Sequence, residues 1–369
     1  MSRIQFYIFY LCYAVALVYL AITLPIGPNE ALLYYESDKI LYTLTHVANG
    51  WFGNDLDFRL PFLLFGLINM ALFLMMSEVY FQKKEESYLA TSIFALLPGI
   101  ITSSILVNIA GLVVTLVLVF LIFYEKKKVY AQALTMILLL LIHNASIIFF
   151  IAILIYSALK RDRLLFVFSL FLAFLSLFYF NGLSVDGRPS GEFMELFGLY
   201  MALFSPLVFI YFFYALYRIW QREQKDILWY ISFTAFVLSI ILSLRQQVIM
   251  TDFAPYVIIA VVLMILIYQK TVQVRLPQFQ RMYHFGFKMV IGSLIFTALI
   301  ILFHKTFFLF MENKSKHFTY PFYEPYWQVM ELKEIGQNCY TVESVKKQYQ
   351  LKYYGIEECR DLDVPKIHK

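Results

Sequence analysis

The chain has 369 residues, of which 61% are hydrophobic, 19% aromatic and only 15% charged, with a formal net charge of +5. A mean hydropathy of +0.70 excludes a soluble globular domain and places the protein among polytopic membrane proteins. The surplus of Lys and Arg falls between apolar runs, so it signals membrane topology rather than nucleic-acid binding.

Met1-Ser2-Arg3 opens the chain, and the apolar run 5–24 that follows reads as an uncleaved signal anchor, because no small-residue cleavage site closes its outer end. The first loop, 25–59, gathers Glu30, Glu36, Asp38, Lys39, Asp55, Asp57 and Arg59. Within it the run 29–47 lacks Pro and Gly and spaces Leu33, Ile40, Leu44 and Val47 at helical intervals. That pattern predicts one amphipathic helix lying on the membrane surface.

Further apolar segments at 60–81, 88–106, 109–124, 129–142, 145–159, 163–181, 196–217, 227–244, 254–269 and 285–307 bring the predicted crossings to eleven, judged against the roughly 20 residues of helix that span a bilayer. The pair 129–142 and 145–159 is short. Basic stretches at 126–128 and 160–163 flank it on both sides, which predicts a sheltered helical hairpin turning at His143-Asn144, its polar tip facing a cavity.

Alternate connections carry fifteen Lys or Arg residues, beginning with Arg3 and ending with Lys270, Arg275 and Arg281, whereas the short loops of the other set hold only Lys39, Arg59, Arg188 and Arg245. The positive-inside rule then predicts a cytoplasmic N-terminus and an extracytoplasmic tail. Among the outward loops, the one at Asn108 is very short, and 181–195 carries NG and DGRPSG turn chemistry. Arg245 and Asp252 stand at the outer end of the ninth predicted span, where an Arg needs a partner such as Asp252 or a phosphate.

The predicted organisation is thus a transmembrane domain over 1–307 and a small extracytoplasmic tail over 308–369. An oxidising exterior would allow Cys339 and Cys359 in that tail to pair. No CxxC, HExxH, P-loop or GxGxxG motif occurs, so ATP- or NAD-dependent chemistry has no support.

The order Pro28-Asn29-Glu30-Ala31, Asp38-Lys39, Trp51-Phe52-Gly53 and Phe58-Arg59-Leu60-Pro61, with Leu97-Pro98, the turn before His143 and Arg245 followed by Asp252 to Tyr256, resembles the polyprenyl-phosphate-sugar-dependent GT-C glycosyltransferases. This superfamily includes protein mannosyltransferases and aminoarabinose transferases. The match covers about the first 110 residues, and loosely 245–256. Its departures are Asn29-Glu30 in place of an acidic pair, Lys39-Ile40 in place of Lys-Pro-Pro, and Asn108 in place of a second-loop Asp.

The resemblance implies an all-helical enzyme of the bacterial inner membrane, its tail periplasmic. Such an enzyme moves a sugar from a polyprenyl-phosphate donor to a glycan, lipid or protein acceptor on the outer face. Glu30 matches the family's base, which takes the acceptor hydroxyl's proton. Lys39, Arg59 and Arg245 are the cations expected at the lipid phosphate, and Asp38, Asn108 and Asp252 are further substrate-binding candidates. The resemblance implies no certain cofactor, and use of a divalent metal stays open.

Each residue also has a bland role. Glu30, two residues after Pro28, suits the first turn of a helix; Lys39 could pair with Glu36 or Asp38; Arg59 could anchor beside Asp55 and Asp57; His143 suits a satisfied interior histidine. A secondary transporter would carry charges in mid-span, and these spans are nearly free of them. A catalytically inactive GT-C-like scaffold is the competing reading, since the missing carboxylates are those such a protein would lose.

Overall fold

The computed structural model describes residues 2–179 and 193–359, which are helical and contain no β-strand. Helices satisfy the backbone residue by residue, as a chain in hydrocarbon requires. In order they are α1 (Arg3–Thr23), α2 (Pro28–Glu36), α3 (Lys39–His46), α4 (Leu56–Tyr80), α5 (Lys84–Leu96), α6 (Pro98–Ile105), α7 (Ala110–Glu125), α8 (Val129–Ile142), α9 (Ser146–Lys160), α10 (Arg163–Tyr179), α11 (Phe193–Phe204), α12 (Pro206–Arg222), α13 (Ile227–Ser243), α14 (Met250–Val257), α15 (Val261–Val274), α16 (Pro277–Leu302), α17 (His304–Phe307), α18 (Tyr320–Glu334) and α19 (Val345–Tyr353).

Among the described residues, α1, α4, the continuous stretch Met250–Val274 and α16 are long and apolar enough to cross a bilayer alone. Counting the bent pairs α5/α6 and α11/α12 as one span each raises four to six. The other apolar helices, α7 to α10 and α13, have 14 to 17 residues, roughly 21–26 Å at 1.5 Å per residue against a core of about 30 Å. The protein is thus a multi-pass α-helical membrane protein, and four to six of its described helices or bent pairs have the length of a span. The eleven expected crossings exceed this count because five apolar segments, over their described residues, form less helix than a bilayer is thick.

Both bends have the same cause. Proline opens α6 and α12, and the residue before each proline is driven out of the helical region. Leu97 takes ψ 131° and Ser205 ψ 149°, so the pairs turn by 63° and 104°.

The chain divides into two units, the first comprising Met1–Tyr13, Phe65–Ser104 and Ile109–Leu299. Its core is aromatic, with Phe73, Phe94, Phe120, Phe149, Tyr200, Phe212 and Tyr256 fully buried. Gly66 on α4 lies so close to Ser104 on α6 that any side chain would collide with it. Asn69 on α4 donates to the carbonyl of Gly111 on α7 (2.8 Å) and accepts from Thr115 (2.7 Å). The expected hairpin is present as α8 and α9, turning at 143–145, with α9 packed against α10 and α13. The loop predicted at 181–195, Arg188 included, lies outside the described residues except for 193–195.

The second unit comprises Ala14–Leu64, Ile105–Asn108 and Ile300–Lys369. Here the expected single helix over 29–47 is two, α2 and α3, parted where Ser37 and Asp38 are extended (ψ 163° and 154°). The break resets the helical phase. Leu33, Leu41 and Leu44 pack on the core of Ile26, Ala31, Phe58, Phe62 and Val107, while Ile40 and Val47 are exposed. Beyond α3, Gly50 and Gly53 adopt positive φ of 80° and 68°, and the Asp57 carboxylate gathers the loop by accepting from the backbone N–H groups of Gly50 (3.0 Å), Phe52 (2.8 Å) and Gly53 (3.1 Å).

The tail folds onto this loop. Its helix α19 lies along α2, with Gln350 donating to the Ile26 carbonyl (2.7 Å), Lys346 to Asn29 (2.8 Å), and Tyr353 edge-on to Tyr34 and Phe58. A small core of Val329, Leu332, Leu351 and Ile356 and the disulfide Cys339–Cys359 hold the tail itself together. The two cysteines stand 20 residues apart, and closing a loop of that size removes unfolded-state entropy worth about 3 kcal/mol. Reduction, or the C339S/C359S pair, is therefore expected to loosen the tail at a lower temperature than the remainder, read as faster proteolysis after α18.

Candidate functional site

Arg59 sits in the first turns of α4 and is completely buried. Its Nε donates to Glu30 Oε1 (3.1 Å), Nη2 to Glu30 Oε2 and the Pro25 carbonyl (3.0 Å), and Nη1 to the carbonyls of Ala21 (3.0 Å) and Leu24. A guanidinium has five N–H donors, and each is used. The last turn of α1 carries no basic residue of its own, so Arg59 supplies from α4 the cation that a helix C-terminus favours.

Glu30 is equally committed. Besides Arg59, Oε2 accepts from the N–H of Gly27 (2.8 Å), which caps α2, and Oε1 accepts from the N–H of Val107 (3.0 Å) in the turn between α6 and α7. A carboxylate offers about four lone-pair sites, and these four bonds fill them. The geometry makes Glu30 and Arg59 a buried clamp that joins the end of α1, the start of α2, the start of α4 and the 105–108 turn. Asn108, half-buried in that turn, donates to the Leu106 carbonyl (2.9 Å).

Asp55 is the carboxyl at the edge of the clamp. It is half-buried and accepts from the Tyr354 hydroxyl of the tail (3.3 Å), which in turn accepts from the N–H of Ile26 (2.9 Å). Burial pushes its pKa above the ordinary carboxyl value; the neighbouring Arg59 charge and the bond from Tyr354 pull the other way without cancelling the rise. Burial and then the Asp55 charge likewise raise the hydroxyls of Tyr353 and Tyr354.

Lys39 and Asp38 are exposed at the start of α3, and neither side chain has a partner among the described residues. In the other unit, Arg245 is exposed just past α13, also without a side-chain partner there. The acid expected beside it, Asp252 on α14, instead faces His143 at the hairpin tip, 3.6 Å from Nε2. His143 is buried, its Nδ1 shares a hydrogen bond with Tyr256 (3.0 Å), and Nε2 has no hydrogen-bond partner among the described residues. Of the predicted residues, therefore, Glu30, Arg59 and the Asn108 turn come together in one unit and Asp252 joins His143 in the other, while the side chains of Lys39, Asp38 and Arg245 have no partner among the described residues. No three His, Cys, Asp or Glu side chains gather as a metal site among the described residues.

Sequence reading missed the roles of Asp55, Tyr354 and the Val107 N–H. The first pair joins residues 299 positions apart, and a backbone donor leaves no mark in side-chain chemistry. The fold and this clamp define a multi-pass α-helical membrane protein whose first loop, 105–108 turn and tail form one polar assembly. No family model and no curated protein matches the chain.

Proposed function

We propose that the protein is a GT-C-like glycosyltransferase of a bacterial inner membrane, moving a sugar from a polyprenyl-phosphate donor to a glycan, lipid or protein acceptor on the extracytoplasmic face. The observation that carries this reading is a half-buried carboxyl of raised pKa, Asp55, held at the edge of a rigid clamp in the very loop where the family resemblance lies. In sugar transfer from a lipid phosphate the leaving group departs as a stable anion and needs positive charge, whereas the acceptor hydroxyl must lose a proton. Asp55 takes the role of base, Glu30 and Arg59 become positioning residues, and the cations without a side-chain partner among the described residues, Lys39 in this unit and, by the family resemblance alone, Arg245, are the candidates for the lipid phosphate.

The topology has its own support. The tail touches the first loop within one unit, so an even number of crossings must separate them. Eleven spans place ten between them; four or six spans would place three or five. Parity thus favours an odd total, which the eleven expected crossings satisfy, as five would, and the Cys339–Cys359 disulfide fits an oxidising exterior. With the basic loops inside, the N-terminus is cytoplasmic and the tail periplasmic.

A catalytically inactive scaffold of the same architecture is the second reading. It is favoured by the saturation of Glu30 and by the tail Lys346 that occupies Asn29. To separate the two, the full-length protein in nanodiscs is supplied with polyprenyl-phosphate-linked sugars, and released polyprenyl phosphate is measured by mass spectrometry. A transferase releases it, and R245Q or K39Q is expected to raise KM for the donor about tenfold with a smaller change in kcat, the cost of one charge-assisted phosphate contact. A wild-type protein that releases none with any donor, or equal rates in both variants, would leave the scaffold.

A further inference from the structure

The first unit holds a second polar feature, independent of the transferase reading. At the C-terminal ends of α12 and α15 a cavity of about 410 Å³ is lined by Arg218, Arg222 and Arg275 with Tyr214, Gln221 and Thr271. Among the described residues no carboxylate lines it. The neighbouring acid, Glu223, is engaged by Lys270 at 2.5 Å.

Basic residues at helix C-termini are ordinarily accounted for by the helix dipole. Two helix ends contribute about −0.5 charge each, so three guanidinium groups leave roughly two positive charges unmatched. Two of the three guanidinium groups also have fixed neighbours. Arg218 donates to the Thr271 hydroxyl and to the Tyr214 hydroxyl (3.1 Å), while its Nε is buried with no hydrogen-bond partner among the described residues. Arg275 lies over the Tyr283 ring, 4.5 Å from its centroid. Fixed guanidinium forks around a pocket this size suit the bidentate geometry of a phosphate.

We propose that this cavity binds a phosphate group, with Arg218 as its fixed floor and Arg222 and Arg275 as its exposed arms. The phosphate belongs either to an anionic phospholipid headgroup or to a soluble phosphoryl compound. On the topology above, the pocket opens at the cytoplasmic surface.

The full-length protein in detergent is titrated separately with dioctanoyl phosphatidylglycerol, dioctanoyl phosphatidylcholine and inorganic pyrophosphate, binding being read by native mass spectrometry and by the shift in melting temperature. Phosphatidylglycerol or pyrophosphate is expected to bind at least tenfold more tightly than phosphatidylcholine, and R222Q/R275Q to lose that preference. Because Arg222 and Arg275 are exposed, the double variant is expected to fold, and R222K/R275K should recover part of the affinity. Tighter binding of phosphatidylglycerol than of pyrophosphate assigns the site to a lipid headgroup, and the reverse order to a soluble phosphate. Phosphatidylcholine binding as tightly as both anions, or anion binding unchanged in R222Q/R275Q, would overturn the proposal.

Discussion

Arg59→Ala is expected to cost about 3–5 kcal/mol, the usual penalty for stripping one partner from a buried ion pair, and to reduce the yield of folded protein sharply. Alanine would leave the Glu30 carboxylate buried with only the Gly27 and Val107 N–H groups as neighbours, and would strip the carbonyls of Ala21, Leu24 and Pro25 of their donor. Lysine is no substitute, since one ammonium has three donors and no planar fork. The double variant E30A/R59A removes the stranded charge but not the stranded carbonyls. It should therefore be less damaged than the two single losses summed, while remaining below wild type. Thermal unfolding of the four proteins in detergent reads this directly. An Arg59→Ala melting temperature within two degrees of wild type would mean that the clamp holds nothing together.

Much of the fold was legible because its signal is local. Runs of apolar residues, their flanking charges and the prolines at 98 and 206 fix where helices begin, end and bend, and each predicted apolar segment, as far as it is described, falls in a helix or a bent helix pair. The turn at His143 was readable for the same reason. Errors arose where a weak local preference met a long-range contact. The run 29–47 has helical spacing throughout, yet Ser37 and Asp38 break it, and docking of Leu41 and Leu44 replaces the face that Ile40 and Val47 would have made. At the site, sequence order placed Glu30 and Arg59 among the candidates but could not say that they bind each other. Charges 29 positions apart in a loop could equally have faced a substrate, and only the fold decides. Arg245 and Asp252 show the opposite case: near in sequence, they do not pair, because Asp252 turns toward His143.

Asp55→Asn is expected to lower kcat/KM for sugar transfer by about 10²–10⁴, the contribution typical of a positioned base, while the protein stays folded. The carboxyl is half-buried rather than enclosed, and the amide oxygen of asparagine can still accept from Tyr354. Its raised pKa gives the reaction a pH signature. A base works when deprotonated, so kcat/KM should climb with pH and level off only above the raised Asp55 value, which lies higher than the ordinary aspartate figure of about 3.9. Stability runs the other way. Because the folded pKa exceeds the unfolded one, the folded state holds the proton longer, and this stabilising contribution is complete below the unfolded pKa and is lost as pH rises through the folded value. Asp55→Asn should therefore flatten the acidic limb of the rate profile and, at neutral pH, leave stability unchanged or slightly raised, since asparagine has no buried charge to form. Glu30→Gln offers the contrast: it disrupts a carboxylate with four engaged bonds, so its loss of activity should follow loss of fold, with the pH limb intact in whatever protein remains active. A variant Asp55→Asn that transfers sugar within twofold of wild type and keeps the same acidic limb would remove this carboxyl from the chemistry.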